Sequence, residues 1–187
     1  MSENSVKFET REAFLEAVQQ HQDLTGADAS GLDLSGARLI GLKLVGANLR
    51  DVNLHKAIVA ASDMQGVDLS GANLSDTFIA GVNFAQANVR QASFAGAKII
   101  GVNWEEADFT GADLQQVRMR ASNVEGSDFS EALTEGAASS AVSWDEAKTP
   151  PAALPAPIRK FPAWLPVLLL LGGLLIWRRK RQQAAEA

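Results

Sequence analysis

Residues 71–90 read GANLSDTFIAGVNFAQANVR. Cut into fives, this stretch gives GANLS, DTFIA, GVNFA and QANVR, and the fourth residue of each block is apolar: Leu74, Ile79, Phe84 and Val89. The same apolar column runs outward from here without insertion or deletion, back to Leu24 and on to Phe129, through 22 consecutive blocks. A period of five fits neither a 3.6-residue helix nor a two-residue strand. A fixed internal repeat of this kind is the mark of a solenoid.

The other positions of the block are chemically sorted too. Two places before each central residue the chain is small or apolar, as at Ala72, Val82 and Ala87. One place before it Asp or Asn dominates, as at Asn73, Asn83 and Asn88. Two places after it glycine is common. Of fifteen glycines, thirteen fall on that register, from Gly26 to Gly136, and the other two are Gly172 and Gly173. Glycine confined to one register marks a recurring tight turn, because it tolerates positive φ. GADLQ at 111–115 and GANLS at 71–75 carry an A(D/N)LXX motif. On these residues the chain resembles the pentapeptide-repeat family over about 24–144. The resemblance implies an all-β solenoid, a right-handed quadrilateral β-helix with four pentapeptides per coil. The central and small residues would then point inward and the other three outward.

A four-sided coil also follows from the residues themselves. Seven of the 22 blocks lack Asp or Asn before the centre, and five of those are Arg38, Ile58, Phe78, Lys98 and Arg118, at steps of twenty. One coil is therefore twenty residues, with one face unlike the other three. Stacked at about 4.8 Å, about six coils make a rod on the order of 30 Å long. The odd face also presents Ile40, Ala60, Ala80, Ile100 and Arg120, so it has an apolar centre edged by cations. An exposed apolar strip of that kind marks an interface. The competing reading is that this face has higher β-propensity and no need of side-chain turn bonds.

The flanks set the domain boundaries. Residues 1–23 hold a capping helix, with Thr10 as N-cap and Phe14, Leu15 and Val18 as its apolar face. The β-helix occupies 24–146 and ends on Trp144, read as a lid on the last coil. The Pro/Ala-rich 147–160 reads as an extended spacer. Residues 161–181 read as an apolar membrane helix with a basic flank, followed by a tail at 182–187. Phe161 to Trp177 is uncharged, with Leu168, Leu171 and Leu175 among its leucines, Trp164 and Trp177 near its ends, and Arg178, Arg179, Lys180 and Arg181 after it. Seventeen residues at 1.5 Å span about 25 Å, the lower limit for crossing a bilayer. An interfacial or re-entrant segment and a dimer-forming helix are the alternatives. The N-terminal MSENSVKFET has no apolar run of the signal-peptide type, which favours a cytoplasmic rod at a bacterial inner membrane. The C-terminal cations point the other way under the positive-inside rule.

Charge narrows the functions. Residues 1–149 carry 11 basic and 21 acidic side chains, a net of −10, which argues against nucleic-acid binding. The basic tail suits anionic lipid. No catalytic constellation, cofactor motif or phosphate loop is legible, and His21 and His55 lie in unrelated places. The column Asp28, Asn48, Asp68, Asn88, Asp108, Asp128 could be read as a metal site, but side-chain bonds to turn backbone explain it more simply. The sequence thus predicts a non-enzymatic, membrane-anchored interaction scaffold without cofactor or metal. Its partner is a protein of unknown identity or a second copy of the chain, with lipid at the tail. The alternatives are a DNA-mimicking inhibitor or protector of gyrase, and a secreted effector that targets a membrane.

Overall fold

Every fifth residue from 26 to 141 has positive φ. Thirteen of these corners are glycines, and the other eleven are ordinary residues such as Asp51, Lys56, Ala61 and Gln86. A left-handed residue costs a non-glycine about 1–2 kcal/mol, so the eleven are held there by what surrounds them. The computed structural model describes residues 6–20 and 22–158, of which those up to Pro157 form one compact unit.

Four corners close one coil of twenty residues, and backbone bonds tie each coil to the next. Leu34 N–H donates to Asn53 O at 2.7 Å, Leu54 to Asn73 O at 2.7 Å and Leu74 to Ser93 O at 2.6 Å. The result is an all-parallel β-solenoid of about six turns. One face forms a seven-stranded parallel sheet in chain order: β1 (Arg38–Ile40), β2 (Ile58–Ala60), β3 (Phe78–Ala80), β4 (Lys98–Ile100), β5 (Arg118–Arg120), β6 (Ala138–Ser140) and β7 (Ala156–Pro157). The other three faces pair through single bridges, such as Asp28 with Asn48, Asp33 with Asn53 and Lys43 with Asp63.

The difference between faces has a local cause. Every Asp and Asn that precedes a centre, from Asp23 to Asp128, accepts the N–H of the residue two places on. That bond folds the segment into a turn. The odd face has no such acceptor. Its Ile58, Val59, Ile79, Ile99 and Ile100 are β-branched and extend instead.

Central residues fill the interior. Leu34, Leu39, Leu44 and Leu49 are fully buried in the early coils. Later coils hold an aromatic stack in which Phe84 lies on Trp104 at 4.5 Å and Phe109 on Phe129 at 4.5 Å. Where a small inward position carries a hydroxyl, backbone satisfies it: Thr77 Oγ1 donates to Leu74 O and Ser127 Oγ to Trp104 O.

The front end is closed by α1 (Arg11–Gln19). Thr10 Oγ1 caps it by accepting from Ala13 N–H at 3.2 Å. Its inner face centres on Phe14 and Ala17, with Leu15 and Val18 only partly buried. Phe14 meets Phe8 edge to face at 5.3 Å. Arg11 holds the helix to the first coil through Asp33 O (2.7 Å) and Ser35 O (3.0 Å). Ahead of the helix, Phe8 N–H donates to Asp28 O, so residues 6–8 add a rung to the coil below.

At the back, Trp144 is buried against Phe129 at 5.2 Å and donates through Nε1 to Ser139 Oγ at 3.0 Å, which makes it the expected lid. The extended spacer over 147–160 is corrected. Thr149 pairs with Asp128, and Ala156 N–H donates to Ala137 O. Thr134 Oγ1 donates to Ala153 O, and Pro151 is buried. The described part of the segment bends at 147–148 and 152–153, and up to Pro157 it lies on the last coil and covers its open edge. The apolar helix predicted at 161–181 falls outside the described residues. Among the described residues no helix is long and apolar enough to cross a membrane.

Candidate interaction face

The sheet brings the odd column together in the predicted register. Arg38 pairs with Ile58, Ile58 with Phe78, Phe78 with Lys98 and Lys98 with Arg118. In each strand the central residue is buried and its two neighbours face out. The outer surface therefore carries Ile40 (43 % exposed), Phe78 (38 %) and Ile100 (42 %), with Ile58 half-buried among them. The other large apolar side chains exposed among the described residues, Val6, Leu133 and Leu154, lie on other columns or near the ends.

Cations edge this apolar centre. Arg38 lies at one end of the strip. Lys98, Arg118 and Arg120 surround Ile100 in a shallow depression of about 170 Å³ at the other. A second hollow beside it is lined by Lys98 and Arg118 together with Asp76 and Gln116. The sequence reading missed Lys56. It occupies a corner that is usually glycine, two residues before β2, and so sits on the edge of the same face. Its place in the glycine register next to the odd face is the signal that would have found it.

The acidic columns are occupied by structural bonds. Asn48 Nδ2 donates to Asp28 Oδ1 at 3.1 Å and Asn88 Nδ2 to Asp68 Oδ1 at 3.0 Å, so Asn alternates with Asp as a rung-to-rung donor. Asp108 and Asp128 stack without an Asn between them, yet each has a cation: Arg90 at 2.9 Å and Lys148 at 3.2 Å. Bonds from the Ser130 hydroxyl and N–H, aided by Lys148, hold the Asp128 carboxyl down at about 2. Burial works against ionisation of Asp108, and donors from Thr110 and Arg90 outweigh it, leaving its pKa lowered. Among the described residues no three metal-ligating side chains come together. His55 Nδ1 bonds Ser75 Oγ at 2.9 Å, one more link between coils.

A family model described as pentapeptide repeats matches the chain in eight copies, over residues 23–55, 62–99 and 90–126. No curated protein matches the sequence significantly. Among solved structures, a pentapeptide repeat protein of the cyanobacterium Cyanothece 51142 is 18 % identical, with a TM-score of 0.53 over 72 % of this chain and 99 % of that one. HetL of Nostoc sp. strain PCC 7120, involved in heterocyst differentiation regulation, is 26 % identical, with a TM-score of 0.39 over 72 % of this chain and 64 % of its own. Full-length QnrB1, a plasmid-mediated fluoroquinolone resistance protein, is 20 % identical, with a TM-score of 0.40 over 78 % of this chain and 89 % of its own. The likeness to the Cyanothece protein bears on the fold alone.

Proposed function

The chain belongs to the pentapeptide-repeat family, and from that premise we propose a non-enzymatic interaction scaffold that binds a protein partner through its strand face and is held at a membrane by its C-terminal segment. One observation carries the reading: Ile40, Phe78 and Ile100 stand exposed on one continuous sheet face whose outer edge no other part of the described chain covers. Apolar surface gathered on one face and rimmed by Arg and Lys has the composition of an interface core and its edge. The tail supports the anchoring half, with an uncharged run from Phe161 to Trp177 followed by Arg178 to Arg181. Mimicry of DNA towards gyrase has less support. Asn breaks up the acidic column, and Arg90 and Lys148 neutralise its two adjacent carboxylates.

The test is Phe78→Asp. An outward side chain leaves no internal cavity, so the stability cost should be limited to the lost strand-face packing and β-propensity, about 1–2 kcal/mol. Association should fall by about tenfold or more, read as partner recovered with the tagged full-length protein after cross-linking in cells. Unchanged recovery of every partner would refute the interface.

A further inference from the structure

The described chain contains eleven Lys and Arg residues, and they divide sharply by location. Five are in ion pairs: Lys7 with Glu9, Lys43 with Asp23, Arg50 with Asp68, Arg90 with Asp108 and Lys148 with Asp128. Arg11 is spent on backbone carbonyls of the first coil. The remaining five are Arg38, Lys56, Lys98, Arg118 and Arg120. None has an ion pair or side-chain hydrogen bond among the described residues, and all five lie on the strand face or its edge.

Among the described residues, the unpaired cations of an acidic protein thus gather on a single face. Lys98 and Arg118 are register partners on adjacent strands, with Arg120 two residues on, and like charges about 4–5 Å apart repel by roughly 1 kcal/mol even in water. In the Asp and Asn columns of the other faces that cost is removed by alternating Asn or by a counter-charge. Here no counter-charge among the described residues removes it. Resting on the reading of this face as a protein interface, we propose that its partner is a short amphipathic segment of another protein, apolar in its middle and acidic towards both ends.

Dimensions favour a segment over a larger body. From Arg38 to Arg118 is four coil steps, about 19 Å, and three strand residues are about 10 Å wide. That strip matches about 13 residues of α-helix, whose diameter with side chains is 10–12 Å. It is far below the roughly 800 Å² per partner of a stable interface between globular bodies, which disfavours a second copy of the rod. A bilayer or a DNA duplex would overhang the strip. It would then meet Asp76 at one edge and Glu105 and Glu125 on the adjoining face, all acidic. A narrow segment avoids them.

The test uses the full chain in zwitterionic micelles and two labelled peptides of about 16 residues. Both carry the same leucine seam, with Glu near the ends in one and Lys in the other. The Glu peptide should bind, and its affinity should fall about tenfold or more as salt rises from about 50 to about 300 mM. Lys98→Gln/Arg118→Gln/Arg120→Gln should weaken it by about tenfold or more. Lys43→Gln/Arg50→Gln/Arg90→Gln makes the same change in net charge on the other faces and should stay within about twofold. The single Arg120→Gln, at a fully outward position, gives a smaller loss in the same direction if the triple variant does not fold. Equal binding of the Lys peptide, or equal binding by the strand-face variant, overturns the proposal. So does tighter binding of duplex DNA or phosphatidylserine vesicles that depends on the same three residues. If Phe78→Asp releases the cellular partner and the neutralised variant does not, the interface stands and its acidic partner falls. If neither variant matters, the interface itself falls.

Discussion

Trp104 is fully buried, stacked on Phe84 at 4.5 Å with the rings 5° from parallel, and edge-on to Phe94 at 5.7 Å. Its indole N–H has no hydrogen-bond partner among the described residues. A buried donor left unmade costs about 1–3 kcal/mol, so the site combines good packing with a polar defect. Trp104→Phe removes the donor and keeps the stack, at the cost of a small cavity. The two effects oppose each other, and the change in stability should lie within about 1 kcal/mol. Phe109→Ala, which only removes packing, should cost about 3–5 kcal/mol. Urea unfolding of the two variants measures both. A Trp104→Phe loss as large as that of Phe109→Ala would mean that the indole N–H is satisfied in solution.

At the scale of the element, the Asx columns and the strand column are two solutions to the same twenty-residue geometry. In the Asx columns the carboxylate is an acceptor before it is a charge, and this sets the response to acid. The pKa values of Asp28, Asp33, Asp108 and Asp128 are all lowered in the folded protein, that of Asp128 to about 2. A depressed folded pKa means stability that is fully present above the unfolded value, about 3.9, and is lost as pH falls through the folded one. Thermal stability should therefore drop between about pH 4 and about pH 2. Asp128→Asn keeps a carbonyl acceptor for the Ser130 N–H and cannot titrate. Its melting temperature should fall less steeply across that window, the difference amounting to about 1–2 kcal/mol at the acid end. A parallel fall would place the acid sensitivity elsewhere. The columns were readable in advance because each side chain acts on its own turn, two residues away. The pairing of Arg90 with Asp108 was not, since it spans most of a coil and depends on which way two exposed side chains turn.

At the scale of the molecule, the coil and its period were legible because each block repeats the same local decisions. The strand face was legible because its five exceptions recur every twenty residues. The C-terminal closure was hidden for the opposite reason. Ala156 and Pro157 belong to no repeat, and prolines that read as a spacer also make a strand suited to a sheet edge. This bears on where the chain can be cut. A chain ending at Pro157 keeps Thr149 on Asp128, the Thr134–Ala153 bond and β7, and should be soluble and folded. A chain ending at Pro150 loses β7 and buried Pro151, and should melt several degrees lower, the shift that roughly 1–2 kcal/mol makes in a domain of this size. The full-length protein should resist carbonate extraction from membranes. Equal melting of the two truncated chains would show that the last strand adds nothing. Extraction by salt alone would reduce the tail to an electrostatic contact.

The corners give the chain a rotary gearing. Five residues are a quarter turn and twenty a full one, and every corner from 26 to 141 obeys that count. Losing twenty residues within the repeat shortens the rod by one step and leaves each later side chain facing the same direction. Losing five keeps every inward residue inward and swings everything downstream through about a right angle. Arg118 and Arg120 would then face away from Arg38 on an intact solenoid. In such a protein length and facing are set by separate multiples, so natural changes of length that preserve this surface must come in twenties.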